Sequence, residues 1–449
     1  MSLVPQPLKI FVPGTFFAER KYIADVIFTE FIGLPFTIEP SEELKETYII
    51  EVDGKSIVME DAFFSRTTEF SGYLHSHLIP QTVEFRSGPF LSEADIPLLF
   101  GTGNIETDKD IQCGHDIFAS IFFMLSRWEE CVLKKYDYLR RFPAAASLSL
   151  RSGFLHRPVV NEWVAMLKNM ISFLQPDILF RPQQKFEIVF THDIDILNAP
   201  VSVREFAKDV VRRKSLRALR SRLRYLLSGY NPYNIFDYFM DVSERHGTKS
   251  RFYFMTGHNI TGKDGEPYNC TPLYKQTLQR IRERGHIIGF HPSLLSYNNP
   301  EMFASEKSQL ETDIGGVVRE GRQHALRFDL PDTWAIWESN GMALDSTLGY
   351  SAREGFRCGT GNVFTVFDVK SRRHLSLKEM PLVVMDTTLH VNRKLGIEES
   401  VSIIRQFVET GKRYDMPITL LFHNLIKDSI DWNGWKDLYD ELFNNERVL

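Results

Sequence analysis

From residue 186 to the end, the chain alternates short apolar runs with amphipathic stretches, a pattern of strands followed by helices. Strands are predicted at 186–190, 251–255, 286–290, 325–328, 343–346, 381–385 and 418–422. Helices are predicted between most of them, at 236–246, 272–284, 300–318, 333–340 and 398–414. Such alternation predicts an α/β unit with a parallel barrel, regular or distorted. The first part of the chain reads differently. A strand at 8–12, a helix at 19–31, alternating strands at 48–52 and 56–59, and helices at 116–134 and 160–174 predict an α+β unit. The 116–134 stretch puts Ile117, Ile121, Phe122, Leu125 and Trp128 on one face. Its Ser126-Arg-Trp-Glu-Glu130 segment is either a functional patch or interface or helix-surface packing, packing being the commoner use. Pro176, Pro182 and the polar Gln183-Gln184-Lys185 mark a boundary, giving domains at 1–182 and 183–449.

The bulk numbers narrow the function classes. With 449 residues the chain exceeds the usual size of one hydrophobic core. A composition of 43% hydrophobic and 25% charged residues is that of an ordinary soluble globular protein. A net charge of −5 gives no global reason to expect nucleic-acid binding. The 4 cysteines, Cys113, Cys131, Cys270 and Cys358, form no close pair, which fits reduced thiols rather than a disulfide frame or zinc-thiolate site. No apolar run approaches the roughly 18 residues of a membrane span, and Met1 to Lys9 lacks the pattern of a signal peptide. The expectation is a cytoplasmic protein. One segment stands apart: Arg204, Lys208, Arg212, Arg213, Lys214, Arg217, Arg220, Arg222 and Arg224 crowd a stretch with leucines on its other side. A basic amphipathic helix at 204–224 contacts an anionic surface or, more commonly, is a solvated outer helix.

The chemistry is concentrated at the predicted strand ends. The 186–190 strand runs into Thr191-His192-Asp193-Ile194-Asp195. Alternation puts Asp193 and Asp195 on one face and turns His192 to the other. Two carboxylates at that spacing can divide labour, one holding a metal and one handling a proton; a helix cap is the plainer reading. The 286–290 strand ends in His291, the 418–422 strand in His423 and the 343–346 strand in Asp345-Ser346, while Arg322-Gln-His324 opens the 325–328 strand. Histidines and carboxylates recurring at one end of successive strands are what a shared site needs.

These residues, in this order, resemble the polysaccharide deacetylase superfamily over about residues 186–425. Thr191-His-Asp-Ile-Asp195 is similar to the first motif of that family, Gly285-His286 through His291 to the second, and Arg322 with its neighbours to the third. Asp345-Ser346 resembles the fourth motif and Leu421-Phe-His423 the fifth. With Asp345-Ser-Thr-Leu-Gly-Tyr350 and Gly355-Phe-Arg-Cys-Gly-Thr360, the chain resembles a divergent bacterial subfamily with an extra amino-terminal domain. The resemblance implies a distorted (β/α) barrel and a metal-dependent deacetylase acting on the N-acetyl group of a carbohydrate. It implies Asp193 as general base, Asp195 and His291 as ligands of a divalent metal, zinc most often, and Arg322 as the group orienting Asp193. His423 becomes the general acid, with Asp345 as an orienting partner. A cytoplasmic location would favour a nucleotide-linked, lipid-linked or monomeric sugar over mature cell-wall polymer.

The chain departs from the family pattern in two places. The second motif usually carries histidines at i and i+4, and here the second position is Leu295, which cannot bind a metal. A catalytic zinc normally takes three protein ligands, so His324 is the candidate third ligand and His192 a weaker one. The usual Asp-Trp pair of the fourth motif falls on Leu348-Gly349, so aromatic contacts to substrate must come from elsewhere. Ser293, Tyr297, Tyr350 and Arg357 are the substrate-binding candidates, and Trp334 and Trp337 are available but suit a core. Leu295 also motivates two alternatives: a non-catalytic glycan-binding relative, and an amidohydrolase acting on another non-peptide C–N bond.

Overall fold

The computed structural model describes residues 7–68, 70, 72–197, 227, 231, 233–257, 264, 267–424 and 435–443. The basic stretch at 204–224 lies outside the described residues. Among those described, no helix is long and apolar enough to cross a membrane.

The first part of the chain builds a six-stranded mixed sheet in the order Phe36–Ser41, Leu8–Pro13, Thr47–Val52, Lys55–Glu60, Ile111–His115, Gly101–Thr107. Helices Phe17–Ala24, Ile117–Leu125 and Val159–Leu174 pack with it. The last of these shows how the sequence makes a packing helix: Val160, Trp163, Val164, Leu167, Met170, Ile171 and Leu174 are all buried, at helical spacing along one face.

The predicted 116–134 helix is in fact two. Asp116 caps Ile117–Leu125 by accepting from the Ala119 amide at 2.9 Å, and the helix stops at Ser126 because Arg127 turns left-handed (φ 52°). Trp128–Leu133 then continues in a new direction. The turn carries the Arg127 guanidinium inward, where it donates to the Met124 carbonyl at 2.9 Å and to Glu130 Oε1 at 3.0 Å. Glu130 also accepts from Arg357 of the second unit, from Nε at 2.9 Å and from Nη2 at 2.5 Å. Burial would raise the Glu130 carboxyl, but Arg357 and Arg127 overcome it and hold it below the usual carboxylate range. Ser126-Arg-Trp-Glu-Glu130 is therefore interface packing.

The second part forms a nine-stranded sheet in the order Phe364–Asp368, Arg373–Glu379, Leu344–Asp345, Glu320–Gly321, Ile287–Phe290, Arg251–Phe254, Ile188–Ile194, Ile418–Leu421, Leu382–Met385. All neighbours are parallel except the Phe364–Asp368 edge strand. The sheet is a curled half-barrel whose hydrogen-bonded order, among the described residues, runs from one edge to the other without closing. Two expectations need correcting. Residues 325–328 are not a strand; the strand is the short Glu320–Gly321, and His324–Leu326 is a single 3-10 turn with Ala325 and Leu326 at positive φ. Arg322 therefore follows a strand instead of opening one. Gly321 permits this: a Cβ there would lie 1.9 Å from the Phe290 carbonyl oxygen.

The antiparallel pair Phe364–Asp368 and Arg373–Glu379, which periodicity did not predict, joins the two units. Tyr22 donates to the Thr365 carbonyl at 2.8 Å and packs on Phe367 at 4.8 Å, and Arg372 pairs with Glu19 at 2.7 Å. One continuous apolar core runs through both units.

Removing one partner of a buried ion pair leaves an uncompensated charge, which costs about 3–5 kcal/mol. Glu130→Ala, which removes the ion-pair partner of Arg357 and leaves Arg127 with Glu129 alone, is expected to lower the thermal midpoint markedly. Melting at the wild-type temperature would show that the network does not hold the units together.

Candidate functional site

The parallel pairing brings five strand ends into one place. Thr191 lies opposite both Leu421 and Arg251 in register, and Phe290 lies opposite both Phe254 and Gly321. The residues that follow these positions, Asp193, Asp195, His291, Arg322 and His423, therefore gather at the carboxyl end of the sheet. There, side chains project past the last backbone hydrogen bonds into a cleft of about 210 Å³. Asp193, Asp195, His291, His324 and His423 line it, with Ala325, Leu326, Ser351, Met385, Thr387 and Asn392 from the second unit and Tyr138 and Arg141 from the first.

Asp193 is held from below. Arg322 Nη1 donates to Asp193 Oδ1 and to Thr191 Oγ1, both at 2.9 Å. Its Nε and Nη2 donate to the Ser346 carbonyl and hydroxyl, both at 2.8 Å. The guanidinium is fully buried and stacks over Tyr253 at 5.2 Å. His423 is held by a different partner from the one expected. Its Nδ1 lies 2.7 Å from Asp386 Oδ1, and its backbone amide donates to Asp386 Oδ2 at 2.7 Å. Burial opposes a charged imidazole, but Asp386, then Asp195 and Asp193, raise the His423 pKa to about 10.

Asp345 does not orient His423. It is fully buried, outside the cleft, and accepts from the Thr347 amide at 3.0 Å and from the Thr347 hydroxyl. Burial, first of all, raises its carboxyl to about 6, and the neighbouring Glu379 carboxyl is raised as well. Two neighbouring buried carboxyls favour one proton between them.

Asp195, His291 and His324 form a second group, each offering a ligand atom within 4.8 Å of the others. His291 Nδ1 lies 2.6 Å from the Arg322 carbonyl, and its Nε2 is turned to Asp195 Oδ1 at 3.2 Å. His324 Nδ1 lies 2.6 Å from Asp264 Oδ1, with Nε2 at 3.9 Å from Asp195 Oδ1. His291 Nε2 and Asp195 Oδ1 are both buried without a hydrogen-bond partner. Unsatisfied buried polar atoms are costly, and two of them beside a third donor fit a divalent cation. Burial would raise Asp195, yet His291, His324 and His423 together hold its carboxyl well below the usual range. The two histidines each engage an oxygen through the ring nitrogen facing away from the group, the outer-shell pattern of metal-binding imidazoles. Leu295 is 37% exposed and does not line the cleft. His192 faces the other way, as alternation requires: it stacks on Phe239 at 3.9 Å, and burial lowers its pKa to about 3.

None of the four substrate-binding candidates lines the cleft. Ser293 is buried and donates to Glu306 at 2.5 Å. Tyr297 packs under the Arg327 guanidinium at 4.1 Å, and Arg357 is consumed by Glu130. Tyr350 lies beneath Arg357 at 4.9 Å. Trp334 and Trp337 are core residues. The cleft takes its polar lining from Ser351, Thr387 and Asn392 instead. Asp386 was findable, because it follows a correctly predicted strand, Leu382–Met385, just as the other site residues follow theirs. Asp264 carries no comparable signal, since it stands in the connection after Arg251–Phe254.

A family of unknown function, DUF7033, matches residues 8–176. No curated protein matches the sequence. Among solved structures, the chain is similar to a protein from Mycobacterium smegmatis assigned as a polysaccharide deacetylase, with 13% identity over 60% of this chain and 87% of that one and a TM-score of 0.38. It is also similar to the polysaccharide deacetylase Bc1974 from Bacillus cereus, with 11% identity over 58% and 89% of the two chains and a TM-score of 0.25. The catalytic domain of a peptidoglycan N-acetylglucosamine deacetylase from Eubacterium rectale shows 14% identity over 58% and 86%, with a TM-score of 0.25.

Losing an outer-shell carboxylate typically costs 10–100-fold in metal affinity. Asp264→Ala is expected to weaken zinc binding by about that factor in a competition titration, and Leu295→His is expected to leave it unchanged. Tighter binding by Leu295→His would place the site nearer that residue than the geometry has it.

Proposed function

We propose that the chain is a metal-dependent hydrolase that removes the N-acetyl group of an amino sugar or glycan precursor. The observation that carries this reading is the pairing of Asp193 with Arg322 and of His423 with Asp386, both opening on one cleft beside the Asp195, His291 and His324 donors. A group that only bound sugar would have no physical need for an oriented carboxylate and an oriented imidazolium side by side.

Asp195, His291 and His324 would hold the ion, and two nitrogens with one carboxylate oxygen suit zinc. The chemistry such an ion supplies when bound is Lewis acidity toward the amide carbonyl and toward water. Asp193 is the base. Arg322 occupies its Oδ1, leaving Oδ2 to take a proton from the attacking water. His423 is the acid. With Nδ1 committed to Asp386, the mobile proton sits on Nε2, the nitrogen 3.8 Å from Asp195 Oδ2. The water oxygen bonds to the acetyl carbon, the C–N bond breaks, the amine leaves with the proton from Nε2, and acetate remains. An amine is a poor leaving group until protonated, so an imidazole held in its charged form suits the second half of the reaction.

Protein purified without chelator or histidine tag should carry about one divalent ion per chain by plasma mass spectrometry. It should also release acetate from N-acetylated sugars. Asp193→Asn should cut acetate release by about 10²–10⁴-fold with unchanged metal content. His291→Ala should lose the metal as well. Full activity in Asp193→Asn would refute the base assignment. A protein that takes up no zinc and releases no acetate, yet binds glycans, would be the non-catalytic relative, and release of a different acid from another amide would shift the substrate class.

A further inference from the structure

The cleft has a wall that belongs to the first unit. Residues 137–141 form a closed turn. Asp137 Oδ1 accepts from the amides of Leu139 at 2.8 Å and Arg141 at 3.0 Å. The Asp137 amide donates to the Arg141 carbonyl at 2.8 Å, and the Arg140 amide donates to the Asp137 carbonyl at 3.0 Å. The turn is fastened to the second unit on both sides. Arg141 Nη1 donates to the Ala325 carbonyl at 3.0 Å, one residue beyond His324. Tyr136 donates to Asp329 at 3.0 Å, and Lys134 reaches the Leu330 carbonyl at 2.8 Å.

At the middle of this turn stands Tyr138. Its ring lines the cleft yet is 85% exposed, and its hydroxyl makes no hydrogen bond among the described residues. A single exposed tyrosine is ordinary on a protein surface. Here, however, the backbone on both sides of the ring is pinned by hydrogen bonds while the ring itself takes part in none of them. The backbone beneath the ring is thus already ordered, and only the two side-chain torsions of the tyrosine remain to be fixed on contact.

We infer that Tyr138 is a stacking platform, supplied by the first unit, for a sugar ring adjoining the one that reacts. The inference rests on the reading of the cleft as a sugar site. At about 210 Å³ the cleft falls below the roughly 300 Å³ at which pockets for drug-sized ligands begin, so it holds one ring, and a neighbouring ring lies at the mouth. The electron-rich face of tyrosine attracts the polarised C–H bonds on the apolar face of a pyranose. The Arg141 guanidinium lies 5.9 Å from the ring, and its Nε and Nη2 are both taken by Asp137 Oδ2 at 2.8 Å, which commits it to the turn. The adjoining ring is assigned to the class of the reacting one, a second N-acetylated hexosamine.

The test is calorimetric titration of the full chain carrying Asp193→Asn, which stops turnover, with the fully N-acetylated chitin tetramer. Adding Tyr138→Ala should weaken binding about tenfold, and adding Tyr138→Phe should leave it unchanged, because the hydroxyl has no partner among the described residues. Equal affinity with and without Tyr138→Ala would overturn the platform, as would a protein that does not bind the tetramer at all. If tetramer binding depends on Tyr138 but wild-type protein releases no acetate, the platform stands and the hydrolytic reading falls. If wild-type protein releases acetate and Tyr138→Ala binds the tetramer unimpaired, the reverse holds.

Discussion

The candidate site depends on one buried guanidinium. Arg322 has no exposed surface, and desolvating such a cation costs several kcal/mol unless its donors are met. They are met by Thr191 and Asp193 on one strand end and by the Ser346 carbonyl and hydroxyl on another. The same residue's carbonyl receives His291 Nδ1, which aims Nε2 at Asp195. One side chain and its own backbone thus set both the orientation of the candidate base and that of a candidate ligand. Moving Arg322 would disturb both halves of the chemistry at once. Its position in turn relies on Gly321, where the chain passes too close to Phe290 for any side chain.

A second constraint works between the units. Arg127, Glu130 and Arg357 form a buried charged cluster at the end of a broken helix, and the Phe364–Asp368 and Arg373–Glu379 hairpin carries the apolar contacts beside it. These contacts fix the first unit against the carboxyl end of the second unit's sheet. The segment that follows the broken helix, from Lys134 to Arg141, can then reach the turn holding His324 and Ala325. The first unit is therefore part of the cleft rather than an appendage to it, which gives a physical reason for two dissimilar sheets to share one core.

The strand ends were readable because alternation and apolar runs are local properties. Asp193, Asp195, His291 and His423 each end a run of strand character, and parallel pairing puts such ends side by side. His324 was reachable only through a deficit: Leu295 left the expected donor set one short, and a neighbouring imidazole was the remaining supply. Arg322 stands out by its motif, but periodicity puts its strand after it rather than before it. A two-residue strand such as Glu320–Gly321 has too little sequence to show a period. The substrate-binding candidates failed together for one reason. Ser293, Tyr297, Tyr350 and Arg357 are near the site in sequence, yet Glu306 takes Ser293, Arg327 covers Tyr297, Arg357 covers Tyr350 and Glu130 takes Arg357.

That the second histidine of the second motif is missing is read from the family resemblance. Local chemistry alone tells which strands carry polar tips and which face of the Ile188–Ile194 strand holds the two carboxylates. These follow from side-chain alternation and residue chemistry, and need no knowledge of distant contacts. It takes the folded chain to bring Asp386 rather than Asp345 to His423, to set Asp264 behind His324, and to turn Tyr138 toward the cleft. Each of those joins residues dozens to hundreds of positions apart. No periodicity spans such a distance; the pairing is fixed by strand order in the curled sheet and by a buried charge cluster that had to be satisfied.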